Sequence, residues 1–281
     1  MASSLARRCD LWSYLLVAKK RPPLNSTTKS LVQSQFGANA ASYATSRVHA
    51  EGESLARLVE MTNPRDHWRA LDVATGPGHT AFAFAPHVRD VIASDLTPEM
   101  LDVARGLAAQ HGIGNVAFAE AQAESLPFAD GSFDLVTCRI APHHFADVQR
   151  FVAETVRVLR PGGVFGLVDN ISPDAAGAAD EYNAFEKLRD PSHGRCLALE
   201  EWLQLVSGAG LMLRHCEILI KEMEFESWTG RMRVAAGPKE KLRAMLLGGT
   251  PEFQAFLRPQ KRDGDIGFVL TEALIVAERP R

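Results

Sequence analysis

The pattern of apolar and polar positions changes character near residue 62. From 30 to 61 the spacing is helical: Phe36 and Tyr43 stand seven residues apart and share a face, and Leu55, Leu58 and Val59 continue the stripe. This predicts one or two helices ahead of the first strand. Beyond them, short apolar runs alternate strictly with amphipathic segments. Residues 69–74 (RALDVA), 90–94 (DVIAS), 115–119 (NVAFA), 133–138 (FDLVTC) and 163–169 (GVFGLVD) read as strands, and 80–85, 98–111 and 147–159 as helices. Strands that are apolar along their whole length must be covered on both faces, so the alternation predicts an α/β fold, a doubly wound parallel sheet with helices on both sides.

Past the fifth strand the pattern predicts a loop and helical region over 173–188 and a helix over 199–207, ended by Gly208 and Gly210. Two β-like runs, 211–225 and 268–278, close the chain, with a helical insertion over 228–258 between them. With no internal repeat and no long linker, residues 31–281 read as a single domain.

Composition narrows the function classes. The 281 residues carry 31 Lys and Arg against 34 Asp and Glu, a net charge of −3, and are 46% hydrophobic and 23% charged. That excludes disorder as the main state. No stretch reaches the ~18 uncharged apolar residues of a spanning helix, so no integral membrane segment is expected. The near-neutral balance speaks against a nucleic-acid binder working by phosphate neutralisation, which leaves small molecules as partners, with homo-oligomerisation open. Cys9, Cys138, Cys196 and Cys216 are dispersed, without the spacing of a metal site or the density of a disulfide scaffold, and a reducing compartment is the simpler reading. Residues 1–30 form a basic leader. Through Ala50 the chain holds Arg7, Arg8, Lys19, Lys20, Arg21, Lys29 and Arg47 against Asp10 alone, a bias that suits either a targeting segment for a mitochondrion or a leader on a cytoplasmic protein.

The main chemical signal is the strand that runs through Asp72-Val-Ala-Thr-Gly76-Pro-Gly78-His-Thr-Ala81 into a glycine turn and a helix. Gly76 and Gly78 let the backbone turn sharply beside a ligand, and the helix start offers N–H donors to an anion. Asp95 ends the second strand 17 residues beyond Gly78, where a carboxylate can accept from both ribose hydroxyls. Dinucleotide enzymes share these features. Asp95 also has a local reading as a helix-entry residue, although Thr97 and Pro98 already supply a cap and a first helical position.

The ordered segments LDVATGPGHTA, ASDLTPEMLDVA, AQAESLPFADGSFDLVTCRIAPHHF and VLRPGGVFGLVDN resemble the class I S-adenosylmethionine-dependent methyltransferases, and within them the ubiquinone/menaquinone methyltransferase type and its small-molecule relatives. The resemblance spans about residues 36–210. It implies a Rossmann-like sheet of mostly parallel strands with a C-terminal antiparallel strand, N-terminal lid helices, S-adenosylmethionine as cofactor and a small-molecule methyl acceptor. Asp72 and the Gly76 to Gly78 turn would hold the methionine portion, Asp95 the ribose, and Leu96 one adenine face. Gln122 stands where relatives often place an Asp that accepts from the adenine amino group, and a Gln carbonyl can take that bond. Ala123 would offer its N–H to the ring, and Ala74 and Arg139 complete the cofactor set. Phe36 and Tyr43 resemble the helix that lies over the cofactor, with Tyr43 closing on the acceptor.

The catalytic candidates follow strand four, in Arg139-Ile-Ala-Pro-His143-His144-Phe145. Ligands of open parallel sheets bind outside the carboxyl ends of the strands, and transfer from a sulfonium is an in-line displacement in which orientation supplies much of the acceleration. A hydroxyl or phenolic acceptor also gains from a base, the role expected of His143 or, failing it, His144. Asp169, ending strand five, would orient that base, a pair that resembles one found in O-methyltransferases of the family. Arg189, Asp190, His193 and Arg195 fall where relatives place acceptor-binding groups, with Arg189 and His193 the substrate candidates. Two other readings stay open here: a nicotinamide-dependent oxidoreductase, and a non-catalytic module that binds S-adenosylmethionine. The LPFADGSFD and LRPGG segments speak against the oxidoreductase.

Overall fold

The predicted alternation is realised in a computed structural model that describes residues 52–281 together with Leu31 and Gln33. The basic leader and the lid candidates Phe36 and Tyr43 lie outside the described residues. In chain order the elements are α1 (Glu53–Thr62), β1 (Arg69–Val73), α2 (His79–Phe84), β2 (Asp90–Asp95), α3 (Pro98–Gln110), β3 (Val116–Glu120), β4 (Phe133–Arg139), α4 (Val148–Val158), β5 (Leu159–Asn170), α5 (Ala176–Arg189), α6 (Leu199–Gly208), β6 (Met212–Glu224), α7 (Phe225–Arg231), α8 (Ala236–Gly248), α9 (Pro251–Leu257), β7 (Gln260–Arg262) and β8 (Asp265–Glu278).

One sheet runs in the order β3-β2-β1-β4-β5-β8-β6, with β7 added to β8. Strands β1 to β5 pair in parallel, and β8 is antiparallel to both β5 and β6. The order reverses between β1 and β4, which makes the crevice outside their carboxyl ends the switch point where such sheets take ligands.

Alternate side chains along each strand feed opposite layers. Leu71, Val73, Val136, Cys138, Phe165 and Leu167 face one side, against Phe151 and Val152 of α4 and Trp202 and Val206 of α6. Ala70, Leu135, Val164 and Val168 face the other, against Leu58 of α1 and Ala81 and Phe84 of α2. The insertion packs on the far end of β8: Phe185 of α5, Trp228 of α7, Leu242 and Leu246 of α8 and Phe253 of α9 gather over Phe268 and Leu270, with Phe185 stacked on Trp228 at 4.9 Å between ring centroids. Each of these aromatics is fully buried, and truncating one to alanine would cost about 3–5 kcal/mol.

Two local expectations are revised. The helix expected over 147–159 ends at Val158, and the strand expected from 163 already begins at Leu159, the pairing of β4 with β5 shifting register between Phe133 and Leu135 to absorb the Pro-Gly-Gly stretch. Thr97 occupies the N-cap position of α3 but makes no side-chain capping bond; its own N–H is taken by Asp95. Among the described residues no helix is long and apolar enough to cross a membrane.

Candidate functional site

At the exit of β1 the chain enters the left-handed region at Ala74 (φ 54°) and again at Gly76 (φ 54°) and Gly78 (φ 95°). Ile140, just past β4, does the same at φ 53°. Positive φ is a genuine outlier for a β-branched residue, and such strain persists where the surroundings fix it, commonly at functional sites. Ala74 and Ile140, two of the five described non-glycine residues with positive φ, thus flank the switch point.

Asp72 lies beneath the glycine turn. Its Oδ2 accepts from the Thr75 hydroxyl at 2.6 Å and its Oδ1 from the Thr137 hydroxyl at 2.7 Å, and it is almost wholly buried. Burial pushes this carboxyl up to about 6 against the pull of the two hydroxyls and Arg139. Thr75 and Thr137 were not singled out by the sequence. Their signal would have been a hydroxyl three residues past Asp72 and one at the matching level of the neighbouring strand.

Asp95 closes the turn from β2. Its Oδ2 accepts the Gly76 N–H and its Oδ1 the Thr97 N–H, each at 2.8 Å. Burial raises its pKa, opposed by these backbone donors. The turn is also tied internally, Gly78 N–H to the Thr75 carbonyl at 3.0 Å and Thr75 N–H to the Ser94 carbonyl at 2.9 Å. Where a Cβ would stand on Gly76, nothing lies within 4 Å, so the turn borders open space. Leu96, half-buried, offers its carbonyl to the Gln33 side-chain amide at 3.0 Å. The β3 exit is joined to the same place, since Ala121 N–H donates to the Asp95 carbonyl, and it carries half-buried Gln122 and buried Ala123. Arg139, at the end of β4, donates from Nε to the Thr80 hydroxyl at 3.2 Å, and burial lowers its pKa. Every described residue of the predicted cofactor set therefore lies at the exits of β1, β2, β3 and β4.

The second half of the site is at the exits of β4 and β5. His143 and His144 sit in a 3-10 turn, Pro142–His144. The His143 ring bonds through Nδ1 to Asp169 Oδ1 at 2.6 Å, and its N–H donates to Asp169 Oδ2 at 3.0 Å. His144 and His193 stand close by, with ring centroids 4.2 Å and 5.6 Å from that of His143. Three neighbouring imidazoles do not all charge. Burial opposes the charged form of His143, but the Asp169 charge and hydrogen bond, helped by Glu186 and Asp190, outweigh it and raise its pKa. Burial and the charge on His143 push His144 down to about 3 and His193 to about 2. Burial also raises Asp169, with the charge and hydrogen bond of His143 pulling the other way.

The remaining candidates separate. His193 Nε2 is 2.9 Å from Asn183 Oδ1, and His144 Nδ1 is 3.2 Å from the Ser192 carbonyl, whose hydroxyl in turn donates to Asp190 at 2.6 Å. Arg189 is turned toward the insertion, its guanidinium 4.5 Å over the Trp228 ring. Asp134 accepts the Arg69 N–H at 2.7 Å and pairs with Arg160, a structural role at the start of β4. A residue sequence reasoning passed over is Glu124, whose Oε1 accepts the Ala146 N–H at 2.9 Å and so anchors the loop that carries both histidines.

A pocket of about 470 Å³ opens beyond β5, lined by Ile171, Ser172, Leu199, Ala255, Phe256 and Thr271 among others. The Ser172 hydroxyl is buried without a hydrogen-bond partner. The wall that carries His143's neighbours leads there: Gly194 and Arg195 donate to the His143 carbonyl, and Ser172 N–H donates to the Leu197 carbonyl.

Comparison with known proteins bears on this arrangement. A family model described as a methyltransferase domain matches residues 71–167. The uncharacterized methyltransferase YcgJ of Bacillus subtilis is 41% identical over 199 residues, 71% of this chain and 79% of the relative, and its crystal structure superposes with a TM-score of 0.78 over 81% of this chain and 98% of that one. An uncharacterized Escherichia coli protein, YafE, is 33% identical over 71% of this chain and 94% of its own length. A demethylmenaquinone methyltransferase of Deinococcus radiodurans is 43% identical over 39% of this chain and 45% of its own.

Proposed function

We propose, on the premise that this chain belongs to the S-adenosylmethionine-dependent methyltransferases, that it methylates a small-molecule acceptor at a hydroxyl oxygen or an activated ring carbon, with His143 as general base. The residues present fit the cofactor. Gly76 leaves the space beside the turn open, and each Asp95 oxygen, having accepted one backbone N–H, keeps a lone pair for a ribose hydroxyl. Asp72 would act from below, holding the turn through Thr75, while Leu96, Gln122 and Ala123 would border the adenine. When bound, S-adenosylmethionine supplies a methyl group on a sulfonium, an electrophile open to in-line displacement.

What this chain's residues add is the acceptor's proton chemistry, and the observation that carries it is the His143–Asp169 pair. With Nδ1 engaged by the carboxylate, Nε2 is the nitrogen left to take a proton. A general base works best with a pKa near the working pH. His143 is held above the ordinary histidine value by Asp169, whereas His144 at about 3 and His193 at about 2 are too weak. This selects His143 over His144 as the base. Asp169 serves as a positioning residue, and the pocket beyond β5 would take the non-reacting body of the acceptor. Ser172 lies three residues past Asp169, about 10 Å of extended chain, a distance that a small acceptor spans.

The test is an acceptor screen with His143→Ala beside the parent protein, with S-adenosylmethionine affinity followed by calorimetry. Turnover lost with affinity retained supports the assignment. Turnover retained by His143→Ala overturns it, and a parent protein that binds the cofactor but methylates nothing would favour a binding module.

A further inference from the structure

Of the five large apolar side chains that stand exposed among the described residues, four lie on β6: Met212, Leu213, Ile218 and Ile220. This strand closes one end of the sheet. Twelve of its thirteen residues pair with β8, and no other described strand pairs with its outer edge. A long edge with an apolar centre is a template for another strand, and natural proteins cover or blunt such edges. Here the regular part is blunted at one end only, by the register shift between Leu213 and His215.

The sequence of the edge states what fits it. Around Leu219 the residues are Glu217-Ile218-Leu219-Ile220-Lys221, near-palindromic in character and of opposite charge at its two ends. A two-fold axis perpendicular to the sheet requires an antiparallel pair centred on a residue, because opposed side chains must share a face. With the axis at Leu219, each Ile218 meets the Ile220 of the second copy and each Glu217 meets its Lys221. Moving the axis to Ile218 sets Glu217 against Leu219, and moving it to Ile220 sets Ile218 against Glu222. Only the central register matches apolar with apolar and acid with base. Opposite-charge and apolar cross-strand pairs each stabilise such a ladder, and misplaced charges oppose it.

We infer that the occupant of this edge is a second copy of the chain, joined β6 to β6 in antiparallel register about Leu219, so that one continuous sheet runs through a two-fold dimer. Ile218 and Ile220 of both copies then form one covered row on one face, while Leu219 meets its counterpart on the face that carries α1. Glu217, which accepts from Arg57 at 2.8 Å and 2.9 Å, and Lys221, which reaches Glu272 at 3.1 Å, join across the axis into a single run of alternating charge.

Sedimentation of the full 281-residue chain across a micromolar concentration series tests this, with circular dichroism to confirm folding. The parent chain is expected to sediment as a dimer, and Ile218→Asp with Ile220→Asp as a folded monomer. The register is read separately by Leu219→Cys in a Cys216→Ser background, since only an axis at 219 sets that position against itself. Oxidation should then give a covalent dimer, which also serves if the double aspartate variant does not fold. A parent chain that remains monomeric overturns the inference. So does a dimer that survives both aspartates, or one in which Cys at 219 fails to cross-link.

Discussion

One carboxylate holds both the ring and the main chain of His143: Asp169 Oδ1 lies 2.6 Å from Nδ1 and Oδ2 accepts the backbone N–H at 3.0 Å. The ring is thereby fixed in orientation and tautomer. Asp169→Asn keeps the shape and removes the charge. We expect kcat to fall by about 10²–10⁴, the usual worth of a positioned acid–base group, with S-adenosylmethionine affinity unchanged by calorimetry. An equal loss of affinity would assign Asp169 to the scaffold instead.

The same pair sets a pH dependence. The base must be neutral to act, and Asp169 favours the charged imidazole, so the folded pKa lies above the ordinary 6.5. Activity is therefore lost as pH falls through that raised value, and kcat/KM should show an ascending limb with its inflection above 6.5. In Asp169→Asn, burial acts on His143 against only the weaker pull of Glu186 and Asp190. The inflection should then move to lower pH, which a merely structural role for Asp169 would not produce.

Asp95 supplies the cofactor prediction. Its two oxygens already set the positions of Gly76 and Thr97, so removing them loosens the turn as well as deleting the ribose acceptor. Hydrogen bonds to a charged group are worth about 1.5–3 kcal/mol each, which converts to roughly ten- to a hundredfold in affinity per bond. Calorimetric titration of Asp95→Ala should show at least that loss. Unchanged affinity would remove Asp95 from the binding site.

Much of this arrangement was legible in the residues. The apolar runs and their alternation predicted all five parallel strands to within three residues, apart from the start of β5, because buried parallel strands leave an unbroken apolar signature. Leu159 to Gly163 was misread because Pro-Gly-Gly marks a helix stop and a bulged strand start alike, and only the partner strand decides between them. The His143 and Asp169 pairing was legible from strand ends, since both follow strands expected to be adjacent. The ranking of the three histidines was not. It depends on how deeply each ring is buried and on Asp169 engaging His143 alone, whose charge then holds down His144 and, across 50 residues of chain, His193, none of which a local pattern encodes. The Thr137 hydroxyl on Asp72 and the Glu124 anchor were hidden for the same reason, being contacts across 65 and 22 residues.

The two glycines of the turn make separable predictions, although both have positive φ. An alanine at either position pays about 1–2 kcal/mol for the left-handed backbone. At Gly78 the added Cβ would also stand 2.4 Å from the Phe82 ring, so Gly78→Ala must displace an aromatic of α2 that packs against the core layer α2 shares with α1. At Gly76 the added methyl meets no protein atom and enters the space that we assign to the cofactor. Gly76→Ala should thus show only the drop of a few degrees that the backbone cost brings while losing S-adenosylmethionine affinity, and Gly78→Ala should show the larger drop in melting temperature. Thermal melts with and without cofactor separate the two, because ligand stabilisation scales with affinity and disappears where binding does. A Gly76→Ala protein that the cofactor still stabilises as it does the parent would mean that the ligand does not lie against this turn.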